Sequence, residues 1–237
     1  MKRIFVGITG ASGHRYAEGL IRSLVAAGYG VDLSITTAGC QVIRHELGIE
    51  AGEAGEQLEA SLPGWLGETA EHVRVFLPAQ VGAPAASGTA GTQAVIIAPC
   101  SMGTLGRVAA GFSSNLVERA ADVAIKEGRR LVMMPRETPL SAIHLENMLR
   151  LAKLGAVLVP CMPGFYHHPK TIDDLVEHVV GKVLDRLEIE RPGAIRWAGL
   201  DEPPVEPGTE QPSAKSPGAG SDVAGPNGTR HRTEGGA

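Results

Sequence analysis

The chain has 237 residues, with 22 basic and 26 acidic side chains, a formal net charge of −4 and 43% hydrophobic residues. That is the balance of an ordinary globular chain. It excludes a nucleic-acid binder with a strongly basic face, and the lack of any apolar run of about eighteen residues excludes a membrane-spanning helix.

The amino terminus, MKRIFVGITGASG, has too short an apolar stretch for a secretory signal and reads as a buried first strand, Arg3–Ile8. Helical spacing of apolar residues follows over His14–Ala27 and ends near Gly28. Val31–Ile35 is a second predicted strand, with a helix across Gln41–Leu47. Residues 50–72 are rich in Gly, Ala and Glu and support only a short helix. Val73–Leu77 is a strand candidate, and Gln80–Thr92 is a loop of Gly, Pro, Ala and Ser. Ala94–Ala98 predicts a buried strand and Asn115–Glu127 an amphipathic helix. Strand Arg130–Met134, helix Ser141–Leu154, strand Ala156–Val159 and helix Ile172–Leu187 complete the series.

Strands that alternate with helices imply parallel β-α-β units, and strands apolar on both faces imply helices on both sides of the sheet. The expected fold is α/β: a doubly wound, mostly parallel, Rossmann-like domain over residues 1–200. From Asp201 onward, 7 Gly and 6 Pro fall in 37 residues, with 6 acidic and 3 basic side chains. Such a composition does not offset its ordering entropy, so 201–237 is expected to be a disordered tail. Cys40, Cys100 and Cys161 are widely spaced and form no CxxC pair, which suits reduced thiols in a cytoplasmic protein. No histidine or cysteine spacing fits a zinc site, so no metal is expected.

Ligands of open α/β sheets bind beyond the carboxyl ends of the strands. The segments expected there are Gly7–Gly13 (GITGASG), Thr36–Gly39, Pro99–Leu105 (PCSMGTL), Pro135–Pro139 (PRETP) and Pro160–Tyr166 (PCMPGFY). Gly10 and Gly13 allow close backbone approach, and Ser12 puts a hydroxyl at a helix start that favours phosphate. Thr36, not an acid, ends the second strand, which favours a mononucleotide over a dinucleotide's ribose contact. Arg119, Asp122 and Lys126 share a helix face, with the two cations about 10.5 Å apart along the axis. They read either as a phosphate grip or as a solvated face with Asp122 as internal partner. Arg136-Glu137 reads as an anion-binding Arg beside a proton-moving carboxylate, or as an acid complementing a helix start. Thr138 and Pro139 suit the cap and first turn of that helix. His144, Glu146 and Asn147 read as packing residues.

Taken together, GITGASG at 7–13, PCSMGTL at 99–105, NLVERAADVAIKE at 115–127, RETPLSAIHLENMLRL at 136–151, PGFYHHP at 163–169 and DLVEHVVGKVLD at 174–185 resemble the flavin prenyltransferase family, the UbiX/Pad1 group. The resemblance spans about residues 3–190. It implies an FMN-binding flavoprotein fold and an enzyme that joins the dimethylallyl group of dimethylallyl monophosphate to N5 and C6 of reduced FMN. The product, prenylated FMN, would serve a UbiD-type decarboxylase, and the assembly would be a dodecamer with sites at subunit junctions.

Matched to the family's motifs, Gly10, Ala11, Ser12, Thr36, Ser101, Met102, Gly103, Thr104 and Arg136 are implied to bind FMN. Glu46, Arg119, Lys126, Glu137, Tyr166 and Lys182 are implied around the prenyl phosphate. Ser12, Glu46, Lys126 and Glu137 carry the catalytic assignment. Lys182 stands where arginine is common, which keeps the charge and loses a bidentate fork. Val81 stands where some members have Trp, and Trp197 either reaches a neighbouring subunit or docks the C-terminal segment. The leaving phosphate or Glu137 is the implied acceptor of the C6 proton. An aromatic-acid decarboxylase and a non-catalytic FMN-binding subunit are the alternatives.

Overall fold

The structure, a computed structural model, describes residues 1–190. The expected tail at 201–237, the domain limit near residue 200 and Trp197 lie outside the described residues. Six strands, β1 (Arg3–Ile8), β2 (Gly30–Ile35), β3 (Val73–Val75), β4 (Ala94–Cys100), β5 (Arg130–Pro135) and β6 (Val157–Leu158), form one sheet. The order is β3-β2-β1-β4-β5-β6, and every described pairing is parallel. This is the doubly wound order, whose reversal point lies between β1 and β4.

Side-chain alternation along the strands divides the core in two. Ile4, Val6 and Ile8 of β1, with Ile96 and Ala98 of β4, face one layer of helices. That layer is α1 (His14–Ala26), α2 (Thr37–Leu47), α3 (Leu58–Leu66) and α7 (Ile172–Arg186). Phe5, Val95, Ile97 and Met133 face the other way, against α4 (Met102–Ala109) and α5 (Leu116–Lys126), with α6 (Ala142–Lys153) outermost. At β1, Gly7 lies flush against α5: a Cβ there would come within 2.6 Å of Val117 Cγ1. Asp32, buried on β2, pairs with Arg3 of β1 and Arg74 of β3 at 2.6 and 2.8 Å, which ties three strands at their register.

Several expected boundaries shift. The segment after β4, to which the apolar spacing assigns no element, holds the helix α4; Ser101 caps it by accepting from the Thr104 amide at 3.3 Å. The helix α2 begins at Thr37, not Gln41, because the Thr36 hydroxyl caps it through the Gly39 amide at 3.2 Å. Thr138 and Pro139 do not start α6. Ser141 is the cap: its Oγ accepts from the His144 amide at 3.2 Å, and its own amide donates to His144 Nδ1 at 3.3 Å. This reciprocal capping box satisfies two otherwise orphaned amides and gives His144 a role that spacing did not reveal.

Candidate functional site

The loops after β1, β4 and β5 meet at the reversal point. Thr9 is fully buried and joins the first two: its hydroxyl donates to Pro99 O and accepts from the Ser101 amide, both at 2.8 Å. Arg136, following β5, donates from Nε to Ser12 O at 3.3 Å. Gly10 sits so close to α2 that a Cβ would approach Ala38 Cβ to 2.6 Å. Gly13 adopts φ 110° to enter α1, a conformation that suits a residue without Cβ. Ser12, Thr36, Ser101, Thr104 and Arg136 thus supply hydroxyls and one guanidinium around one edge. Met102, on α4, and Ala11, next to Ser12 in the chain, are both buried.

Glu46 lies at the amino end of α1. Its carboxylate accepts from the Gly13 and His14 amides at 3.0 and 2.9 Å, and His14 Nδ1 is 3.3 Å away. Burial alone would raise the Glu46 carboxyl; the hydrogen bonds from Ser12, His14 and Gly13, with the charge of His14, overcome it and hold the group below its ordinary value. The fully buried His14 ring is pushed down by burial, only partly opposed by Glu46. The phosphate seat expected at this helix start is therefore already taken by an internal carboxylate. His14 is 32 residues from Glu46 in sequence, so local spacing held no sign of the pair.

The helix α4 is tied to α5 behind the site. Arg107 donates to the fully buried Glu118 and to Thr104 Oγ1, and Glu118 also accepts from Ser114 N and Oγ at 2.8 and 2.7 Å. Burial raises the Glu118 carboxyl, but the bonds from Ser114 and Arg107 outweigh it and leave the group lowered.

Arg119 and Lys126 do not share Asp122. Arg119 pairs with Asp122 at 2.9 Å, whereas Lys126 pairs with Glu127 at 2.6 Å. The helix α5 starts where the Leu116 amide donates to Pro78 O, beyond β3, and ends beside the loop that feeds β4, where Arg129 reaches Ser87 O. Lys126 accordingly lies toward the amino edge of the sheet, opposite Ser12 and Arg136. The direction of α5 thus carries the two cations of its shared face toward different edges of the sheet.

Glu137 is half-buried, and its carboxylate accepts from the Thr138 amide at 3.1 Å. Tyr166 lies against α7, its hydroxyl 2.7 Å from His178 Nε2, and Lys182 is exposed one turn further along that helix. His178 escaped the sequence reading; its only signal was the four-residue offset from Lys182. Among the described residues, no group of three or more His, Cys, Asp or Glu side chains is placed to hold a metal ion, and no helix is long and apolar enough to cross a membrane.

Burial pushes the Cys40 thiol up to about 11 and Cys161 up to about 12, and raises Cys100 as well. Because the thiolate is the nucleophile, native protein treated with iodoacetamide near neutral pH should stay largely unmodified by intact-mass spectrometry. Unfolding should expose all three thiols; rapid alkylation of the native chain would contradict the burial of Cys40 and Cys100 and the raised thiol of the half-buried Cys161.

The Flavoprotein family matches residues 1–184. A flavin prenyltransferase UbiX of Halalkalibacterium halodurans is 50% identical over 192 residues, 81% of this chain and 91% of that protein. The UbiX of Pseudomonas aeruginosa is 44% identical over 83% of this chain and 94% of its own length. Among solved structures, AnUbiX in complex with FMN and dimethylallyl pyrophosphate is 34% identical, with a TM-score of 0.73 over 84% of this chain and 98% of that one. A dodecameric FMN-dependent UbiX-like decarboxylase from Escherichia coli O157:H7 is 40% identical, with a TM-score of 0.72 over 83% and 100%. With a family match over residues 1–184 and flavin prenyltransferases at 44–50% identity over most of both chains, this chain belongs to the Flavoprotein family and, within it, to the flavin prenyltransferases of the UbiX type.

Proposed function

We propose that the protein transfers the dimethylallyl group of dimethylallyl monophosphate to N5 and C6 of reduced FMN, yielding prenylated FMN. The observation that carries this reading is the junction at the sheet's reversal point, where Thr9 links the β1 and β4 loops and Arg136 reaches the Ser12 backbone. The donor set there fits a flavin mononucleotide: hydroxyls of Ser12, Thr36 and Ser101, the start of α4 at Met102, Gly103 and Thr104, the close-packed Gly10 and Ala11, and the Arg136 cation. Bound reduced FMN supplies the nucleophilic positions of the reaction. The chain's part is to bind and orient, to exclude water, and to move protons at Glu137 and at the hydrogen-bonded Ser12–Glu46 pair. Arg119, Lys126, Lys182 and Tyr166 would offset the charge that develops on the departing phosphate, in place of a metal ion.

Lys126 can join Ser12 and Arg136 only if a second copy supplies it. That need, together with the exposed Ile143, Leu145, Leu149 and Leu154 on and just after α6, supports a homo-oligomer, with a dodecamer as the proposed form. A cytoplasmic setting and a UbiD-type decarboxylase as recipient of the product complete the reading.

The test is anaerobic incubation of the full chain with reduced FMN, dimethylallyl monophosphate and a chelator, followed by mass spectrometry of the extracted flavin. A flavin heavier by one prenyl unit is expected. Unchanged flavin on protein shown to bind FMN would overturn the reading. Decarboxylation of an aromatic acid by the chain alone would select the decarboxylase instead.

A further inference from the structure

Tyr166 and His178 make a pair whose proton positions follow from geometry. Tyr166 Oη lies 2.7 Å from His178 Nε2, and on the far side of the same ring the Gly164 amide donates to Nδ1 at 3.2 Å. A backbone N–H only donates, so Nδ1 must present its lone pair. The single proton of a neutral imidazole then resides on Nε2, and Nε2–H donates to the phenol oxygen. A phenol oxygen that accepts in this way commits its own O–H hydrogen to a different acceptor. The ring plane is held as well: His167 stacks on His178 at 4.7 Å and 9°, and Tyr166 meets it edge-on at 5.3 Å and 81°. Lys182 follows His178 by four residues on α7, which puts its ammonium on the same helix face.

We infer that His178 is a positioning residue: its tautomer, set by the Gly164 amide, presents Tyr166 as a hydrogen-bond donor to a phosphate monoester, next to the cation of Lys182. The inference rests on the reading of Tyr166 as a residue of the prenyl-phosphate side. It assigns His178 no contact with the substrate; the histidine acts through the tyrosine, much as a supporting partner orients a metal ligand.

The test is steady-state transfer by the full FMN-loaded protein, with dimethylallyl monophosphate varied. His178→Leu should raise KM for the ester about tenfold, the scale of one lost hydrogen bond to an anion, with kcat and FMN affinity little changed. His178→Gln, whose amide N–H reaches the Nε2 position, should restore most of the loss. Tyr166→Phe should raise KM similarly, and the double variant should be no worse than either single one, because the two act as a unit. If Tyr166→Phe raises KM while His178→Leu does not, or if the two effects multiply, the inference is overturned. If Tyr166→Phe itself leaves KM unchanged, the phosphate-side reading of Tyr166 fails first. Should His178→Leu not fold, His178→Asn, whose amide falls short of Tyr166, takes its place with the same expected result.

Discussion

Replacing Glu137 with Gln should slow prenyl transfer by about 10²- to 10⁴-fold, the usual worth of a positioned acid–base group, while FMN stays bound. The substitution suits the question because it changes little else. The Glu137 carboxylate accepts from the Thr138 amide at 3.1 Å, and the amide oxygen of Gln can accept the same bond. The neighbouring Arg136, which reaches Ser12 O, keeps its place, so flavin affinity reports on an intact loop. What disappears is the capacity to take and return a proton. Single-turnover transfer measured beside FMN binding separates the two. A transfer rate equal to the parent's would remove Glu137 from the chemistry, and a joint loss of rate and flavin would make it a structural residue of the loop.

The second large effect concerns stability. Arg107→Met should cost about 3 kcal/mol, because it leaves the buried Glu118 carboxylate without its cation. For a domain of this size that is a fall in Tm of about 6–12 °C. Arg107 is itself half-exposed, which places the cost at the lower end of the range for broken buried pairs. The double variant Arg107→Met/Glu118→Leu should recover much of the loss, since an apolar pair of similar volume carries no stranded charge. Equal destabilisation of single and double variants would show that packing, not charge, is at stake.

The sign of the pH dependence follows. The Glu118 carboxyl is lowered in the folded chain, so its contribution is fully present above the unfolded carboxylate value. It is lost as pH falls from there through the depressed folded value. The single variant should therefore show a shallower acid limb in thermal melts. Since Arg107 also donates to Thr104 Oγ1, flavin affinity should weaken alongside.

The strands were legible because parallel strands buried on both faces are unbroken apolar runs. Arg3–Ile8 matched fully, and Ala94–Ala98 was short only by Pro99 and Cys100. The helix α4 was hidden by Gly103 and Gly106, which lower helix propensity, although Ser101 stands at its start as a cap. The edge to which each loop points also followed from the alternation of strands and helices, and the structure brings the loops of Ser12, Ser101 and Arg136 together there. What local spacing does not encode is the direction of a helix relative to the sheet. Arg119 and Lys126 share a face of α5, yet that helix carries Lys126 toward the opposite edge. Nor does spacing encode partners distant in sequence, which is why His14 beside Glu46 and His178 beside Tyr166 emerged only from the fold.

Glu46 acts as a built-in counter-anion for the first helix of the fold. A free phosphate seeking the Gly13 and His14 amides must evict a tethered competitor that costs no association entropy. Inorganic phosphate is therefore expected to gain little at that position. The same competition is expected to favour ligands that bring an aromatic ring system as well as an anionic tail.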